Sequence, residues 1–153
     1  MIKRCLKSFL PASFRHFSYS GGIILPIFAE PFKAWEMEYK IFKPDYLLSI
    51  TGGDTDIMAE IAGIFGNQVP EFMTGMRSLL QQEKFYELGL LAHKAKGSVT
   101  VLGMDETAKM LKEFELLAKA GEGKEKYEGF IARFEADSET VMAEVNDYLT
   151  KNR

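Results

Sequence analysis

From residue 44 onward, apolar side chains recur three and four positions apart, with almost no strict alternation, so the chain reads as helices rather than strands. Pro44 can open a short first helix, where its missing N–H costs nothing, and Gly52-Gly53 can close it, with Leu47, Leu48 and Ile50 forming a lid. Asp54 or Thr55 caps the next helix, whose apolar face is Ile57, Met58, Ile61, Ile64, Phe65, Phe72, Met73, Met76, Leu79 and Leu80. Pro70 lies inside that pattern, which predicts a bend near Gly66–Val69 and a helix that continues past it. A third helix is expected from about Glu83 to Leu102 on the stripe Leu88, Ala92, Ala95, Val99 and Leu102. Gly103 should stop it and Asp105 cap the fourth, a turn so short that it forces an antiparallel hairpin. Ala108, Leu111, Phe114 and Ala118 line the fourth helix, which Gly121 and Gly123 end. The last is lined by Tyr127, Phe130, Ile131, Phe134, Val141, Met142, Val145, Tyr148 and Leu149. The predicted fold class is all-α, an antiparallel four-helix bundle with a short additional N-terminal helix.

Two polar residues depart from this pattern in opposite ways. On a wheel of about 100° per residue, His93 falls off the centre of its stripe with Gly89, Lys96, Gly97 and Thr100, so its imidazole should be at least half exposed. Gly97, one turn on, removes a Cβ that would crowd the ring, at a helical cost of roughly 0.5–1 kcal/mol against alanine. Lys96 is placed to swing its ammonium toward an anion on the ring nitrogen. Glu115, by contrast, falls between Leu111 and Ala118 near the centre of an apolar stripe, where a carboxylate needs a partner.

His93, Lys96, Gly97, Ser98 and Leu102-Gly103 together resemble the motif of the histidine-containing phosphotransfer (HPt) domain of two-component phosphorelays: a histidine, two variable positions, a basic residue, a glycine, a small residue, then a leucine-glycine pair. From about Pro44 to Leu149 the order of elements is similar as well. The resemblance implies that His93 is the phosphoacceptor, that Lys96 offsets developing negative charge, and that Gly97 admits a receiver's active-site loops. It further implies that Glu115 accepts a hydrogen bond from one imidazole nitrogen, fixing the tautomer and leaving the other nitrogen free to attack. Expected partners are response-regulator receiver domains and a hybrid sensor kinase, with Mg²⁺ supplied by the receiver and no cofactor held by this chain.

Each of these residues also has a plainer reading. Lys96 can be a solvated lysine like Lys94, Gly97 a site where two helices approach closely, and Glu115 a stripe-edge carboxylate paired with Lys112 or Lys119. Leu90, apolar on the solvent side of the histidine helix, belongs either to a docking patch or to the ordinary scatter of exposed leucines. At the level of the whole domain, the alternative is a helical module that docks a receiver or kinase without phosphoryl transfer, and a third reading is a structural bundle whose motif is coincidental.

Composition narrows the field without deciding it. With 153 residues the chain suits one domain with one core. Its formal charge of −3 is split, with +3 on residues 1–36 and −6 on residues 37–153. No basic stripe with interleaved aromatics occurs, so nucleic-acid binding is not expected. Residues 1–36 lack a clear period, are interrupted by Pro11, Pro26, Pro31 and Gly21-Gly22, and are expected to be a poorly ordered extension preceding an HPt bundle over 37–153. Arg15 and His16 divide their apolar stretches, so neither a signal peptide nor a membrane anchor is expected, and His16 reads as a solvated side chain. Cys5 stands alone, and a cytoplasmic monomer is the simplest expectation. A phosphate-binding glycine loop followed by Lys-Ser/Thr, metal-ligand spacing and a Ser/Cys-His-carboxylate set are all missing from the sequence, and so is a kinase catalytic domain. The chain is therefore expected to receive its phosphoryl group and carry it.

Overall fold

The computed structural model describes residues 39–152, and the expectations for the 1–36 extension, Cys5 and His16 lie outside them. Regular structure among the described residues is helical: α1 (Pro44–Thr51), α2 (Thr55–Gln81), α3 (Phe85–Val101), α4 (Asp105–Ala120) and α5 (Tyr127–Asn152), the last entered through a 3₁₀ turn at Lys124–Lys126. Around the bundle α2 packs on α3, α3 on α4, α4 on α5 and α5 on α2, while α1 sits against α2.

Local chemistry explains where each helix begins and ends. Pro44 occupies the start of α1. The Asp54 carboxylate caps α2, accepting the backbone N–H groups of Asp56 and Ile57 at 2.9 and 3.2 Å. α2 then runs unbroken through Pro70 to Gln81. Its last turn is closed by Lys84 N–H donating to the Leu79 carbonyl and Glu83 N–H to that of Leu80, with Glu83 at φ 55°. Glu83 therefore terminates α2, and the histidine helix begins two residues later than its sequence pattern suggests. Gly103, at φ 69°, ends α3, and a Cβ there would stand 2.5 Å from the Lys43 carbonyl oxygen. The residue before α4 is the buried Met104; Asp105, expected as the cap, lies in the first turn instead and pairs with the Lys43 ammonium at 2.6 Å. Burial of Met104 in the core fixes that register, and Asp105 still places its charge favourably at the helix N-terminus.

The core is built from the predicted stripes, with Phe42, Leu47, Met58, Phe65, Met76, Leu88, Leu111, Phe114, Tyr127, Ile131, Phe134 and Val145 among its buried members. Phe85, Phe114, Tyr127 and Phe130 form a connected set of ring contacts with centroids 5.1–5.6 Å apart. Three residues assigned to apolar faces lie outside it: Ile50, Ile57 and Ile64 are exposed. Ile57 and Ile64 each precede a buried residue, Met58 and Phe65, and one residue of helix is about 100° of rotation, enough to leave the core face. The chain before α1 is pinned to α5 by Glu144, whose carboxylate accepts the backbone N–H groups of Lys40, Ile41 and Phe42 at 2.7–3.0 Å. Tyr39 and Phe42 stack edgewise on Tyr148 beside it, and the Tyr39 hydroxyl donates to Asp147.

Candidate functional site

α3 and α4 form the closest helix pair of the bundle, because small residues face the contact. Ala92, Ala95 and Gly89 are buried on α3, and a Cβ built at Gly89 would stand 2.9 Å from the Glu115 carbonyl oxygen and 3.1 Å from the Lys119 backbone nitrogen. On the rim of that seam His93 projects outward, its side chain 57% exposed, while Glu115 projects from α4 into the seam with only 5% exposure. A histidine on one helix and a buried carboxylate on its neighbour thus meet at the boundary between core and solvent.

Glu115 gathers four cationic or hydrogen-bonding groups. Its Oε1 lies 3.0 Å from His93 Nδ1 and 2.7 Å from Lys119 Nζ, and its Oε2 lies 3.2 Å from Lys96 Nζ and 3.6 Å from Lys112 Nζ. The Lys119 hydrogen bond, followed by those of His93 and Lys96, holds the carboxyl far below the usual carboxylate range despite burial, which acts the other way. An ionised carboxylate only accepts, so His93 Nδ1 must carry the proton of this bond. Lys96 Nζ lies 3.4 Å from the same nitrogen. Because that nitrogen is already a donor, the contact is an approach of two donors drawn to one carboxylate, not a bond between them. Nε2, the other ring nitrogen, has no hydrogen-bond partner among the described residues.

The alternatives for Glu115 are therefore not exclusive: it meets His93, and Lys112 and Lys119 as well. Lys96 is not a freely solvated lysine, since its side chain is 25% exposed and rests on Glu115. At Gly97 a Cβ would meet nothing within 4 Å, so the reading of this glycine as a tight helix contact does not hold there. The tight contact is at Gly89, four residues before His93, which sequence reasoning placed on the histidine side of the helix without giving it a role. The available signal was a second glycine on that side of the helix, at a position where a helix interior disfavours it. Ser98 faces away from the seam and donates to Gln68 Oε1 at 2.9 Å, tying α3 to α2. Leu90 is exposed, and Tyr86 on the same helix and Leu116 on α4 are exposed large apolar residues as well.

The Hpt domain family model matches residues 60–150, more than half of the chain. The chain belongs to the Hpt domain family. Neither the curated proteins nor the solved structures gave a match. Hpt domains serve histidine phosphotransfer in two-component phosphorelays and interact with response-regulator receiver domains and kinases. In this Hpt domain the matched span contains all four helices of the bundle or most of each, and with them His93, Lys96, Gly97 and Glu115. Among the described residues no group of three or more His, Cys, Asp or Glu side chains is arranged to hold a metal ion, and no helix is long and apolar enough to cross a membrane.

Proposed function

We propose that this Hpt domain is a phosphorelay carrier in which His93 takes a phosphoryl group from the aspartyl phosphate of one receiver domain and yields it to the aspartate of another. The observation that carries this reading is the pairing of His93 Nδ1 with Glu115 at 3.0 Å on a ring that is otherwise open to solvent. With the proton held on Nδ1, the Nε2 lone pair is the nucleophile. It attacks the phosphorus of the acyl phosphate, the phosphorus–oxygen bond to the aspartate breaks, and the bonding electrons leave on the aspartate carboxylate. A neutral ring that gains a phosphoryl group on Nε2 becomes positively charged, and the Glu115 carboxylate offsets that charge without having to move. The second transfer is the same step in reverse, onto a different aspartate.

The neighbouring residues suit the same chemistry. Lys96 Nζ lies 3.4 Å from the ring at Nδ1, near enough to neutralise charge on the phosphoryl oxygens. Gly97 leaves open space one turn along the exposed face, where a receiver's loops must enter. Tyr86, Leu90, His93 and Gly97 follow one another at spacings of four, three and four, so they share a stripe of α3, and its exposed apolar members give a receiver something to bury. Since the carboxylate beside His93 is already committed to cations, Mg²⁺ comes from the receiver's acidic pocket. The upstream donor is a hybrid sensor kinase, and the carrier works as a cytoplasmic monomer. Incubation with a phosphorylated receiver should place acid-labile, base-stable label on this chain and none on His93→Gln. Complex formation without label would instead identify a module that docks without transfer.

A further inference from the structure

The distance between α3 and α4 decides whether Glu115 can reach His93, and Gly89 lies in the contact between the two helices. Glu115 hangs from the same stretch of α4 backbone that lies over Gly89: the atoms nearest a Cβ at position 89 are Lys119 Cγ at 2.8 Å, the Glu115 carbonyl oxygen at 2.9 Å and the Lys119 backbone nitrogen at 3.1 Å. Two of the three are main-chain atoms, which cannot turn aside as the end of a flexible side chain can. An added methyl group would push α4 outward by a few tenths of an ångström or more at the residue that carries the carboxylate. Gly89 also stands one helical turn before His93, so the displacement falls directly on the 3.0 Å bond between Glu115 and Nδ1. We propose that Gly89 is a positioning residue for His93: by lacking a side chain it lets α4 come close enough for Glu115 to hold the Nδ1 proton and leave Nε2 unprotonated.

Any consequence for transfer rests on His93 being the phosphoacceptor; the helix contact and the tautomer do not. That separation makes the tautomer the primary readout. In a ¹⁵N-labelled protein without any partner, long-range ¹H–¹⁵N correlations distinguish a ring protonated on Nδ1 from one protonated on Nε2. Wild-type protein should show His93 predominantly as the Nδ1–H form. Gly89→Ala should remain helical, since alanine favours the helix that glycine disfavours, while its His93 signals shift toward the Nε2–H form. Gly97→Ala, which adds the same methyl group in open space, should leave the His93 signals as they are. Should Gly89→Ala not fold, Gly89→Ala with Lys119→Ala removes the closest of the three contacts, and its His93 signals are read against Lys119→Ala alone.

Transfer from a phosphorylated receiver is measured on the same samples. A 1 Å misplacement costs about 10²-fold, so a shift of a few tenths should slow acceptance by roughly tenfold. Wild-type protein that accepts no label would refute the phosphoacceptor reading and leave the tautomer result to decide the role of Gly89. A folded Gly89→Ala variant whose His93 nitrogen shifts match those of wild type would overturn the positioning role, whatever its transfer rate, and in the double-variant test identity with Lys119→Ala would do the same.

Discussion

Substitutions at Gly97 separate the needs of the fold from the needs of the partner. Gly97 lies inside α3, is exposed, and has nothing within 4 Å of where a Cβ would be. Alanine there removes the glycine penalty of about 0.8–1.0 kcal/mol and adds no clash, so Gly97→Ala should raise the melting temperature, by roughly 4 °C for a domain of this size. Glutamine is nearly as good a helix former, and Gly97→Gln should be about as stable. On the surface, however, positions 93 and 97 are neighbours, with Cβ atoms about 5–6 Å apart. The glutamine side chain is long enough to stand across the path of an aspartyl phosphate toward Nε2. Stability and transfer should therefore move in opposite directions, with Gly97→Gln as stable as wild type or more so and much slower to accept label. Thermal melts and single-turnover transfer from a ³²P-labelled receiver measure the two quantities. A fall in melting temperature for Gly97→Ala would contradict the open environment, and a stable Gly97→Gln that transfers at the wild-type rate would refute the access argument.

The other substitutions address the charges and the chain before the bundle. Lys96→Ala should slow transfer without abolishing it, because it removes one charge-assisted contact and leaves the nucleophile; unchanged single-turnover kinetics would return Lys96 to a purely electrostatic support of Glu115. Glu115 is held below its ordinary value of 4.5, chiefly by the Lys119 hydrogen bond, so it stabilises the fold above that pH and the contribution is lost as pH falls through the lower folded-state value. Glu115→Gln should consequently melt below wild type at pH 7, with the gap narrowing in melts taken from pH 5 downward; a pH-independent gap would show that the ionised form contributes nothing. Deleting residues 1–36 should leave helicity and transfer intact, whereas Glu144→Ala, which removes the acceptor for three backbone N–H groups, should lower the melting temperature by circular dichroism.

Periodicity sufficed for the helices because most stripe positions face one core, and the few misassigned isoleucines mark where it falls short. Ile57 and Ile64 keep the helical spacing, yet stand one residue away from Met58 and Phe65, and spacing alone does not choose between adjacent stripes. The turn between α3 and α4 shows a second limit. Asp105 is a good capping residue by type, but the burial of Met104 decided the register, and burial is a property of the assembled bundle. At the site, the pattern marked His93 as a polar residue off its stripe and Glu115 as a carboxylate on one, while the roles expected of them came from the resemblance carried by His93, Lys96, Gly97, Ser98 and Leu102-Gly103. A close helix contact was only the plainer of two readings offered for Gly97, and Gly89 was given no role, because a glycine's consequence depends on what lies across from it. Only the packing of α4 shows that position 89 faces main-chain atoms and position 97 faces solvent.

The measurement that bears most directly on the central claim is the position of the label after transfer from a phosphorylated receiver, read by mass spectrometry under neutral conditions together with the same assay on His93→Gln. The phosphoryl group should be found on His93, chased off by a second, unphosphorylated receiver, and missing from a His93→Gln variant that melts as wild type does, since an exposed side chain contributes little to the core. Label on any other residue, or label that persists in a folded His93→Gln, would contradict the account.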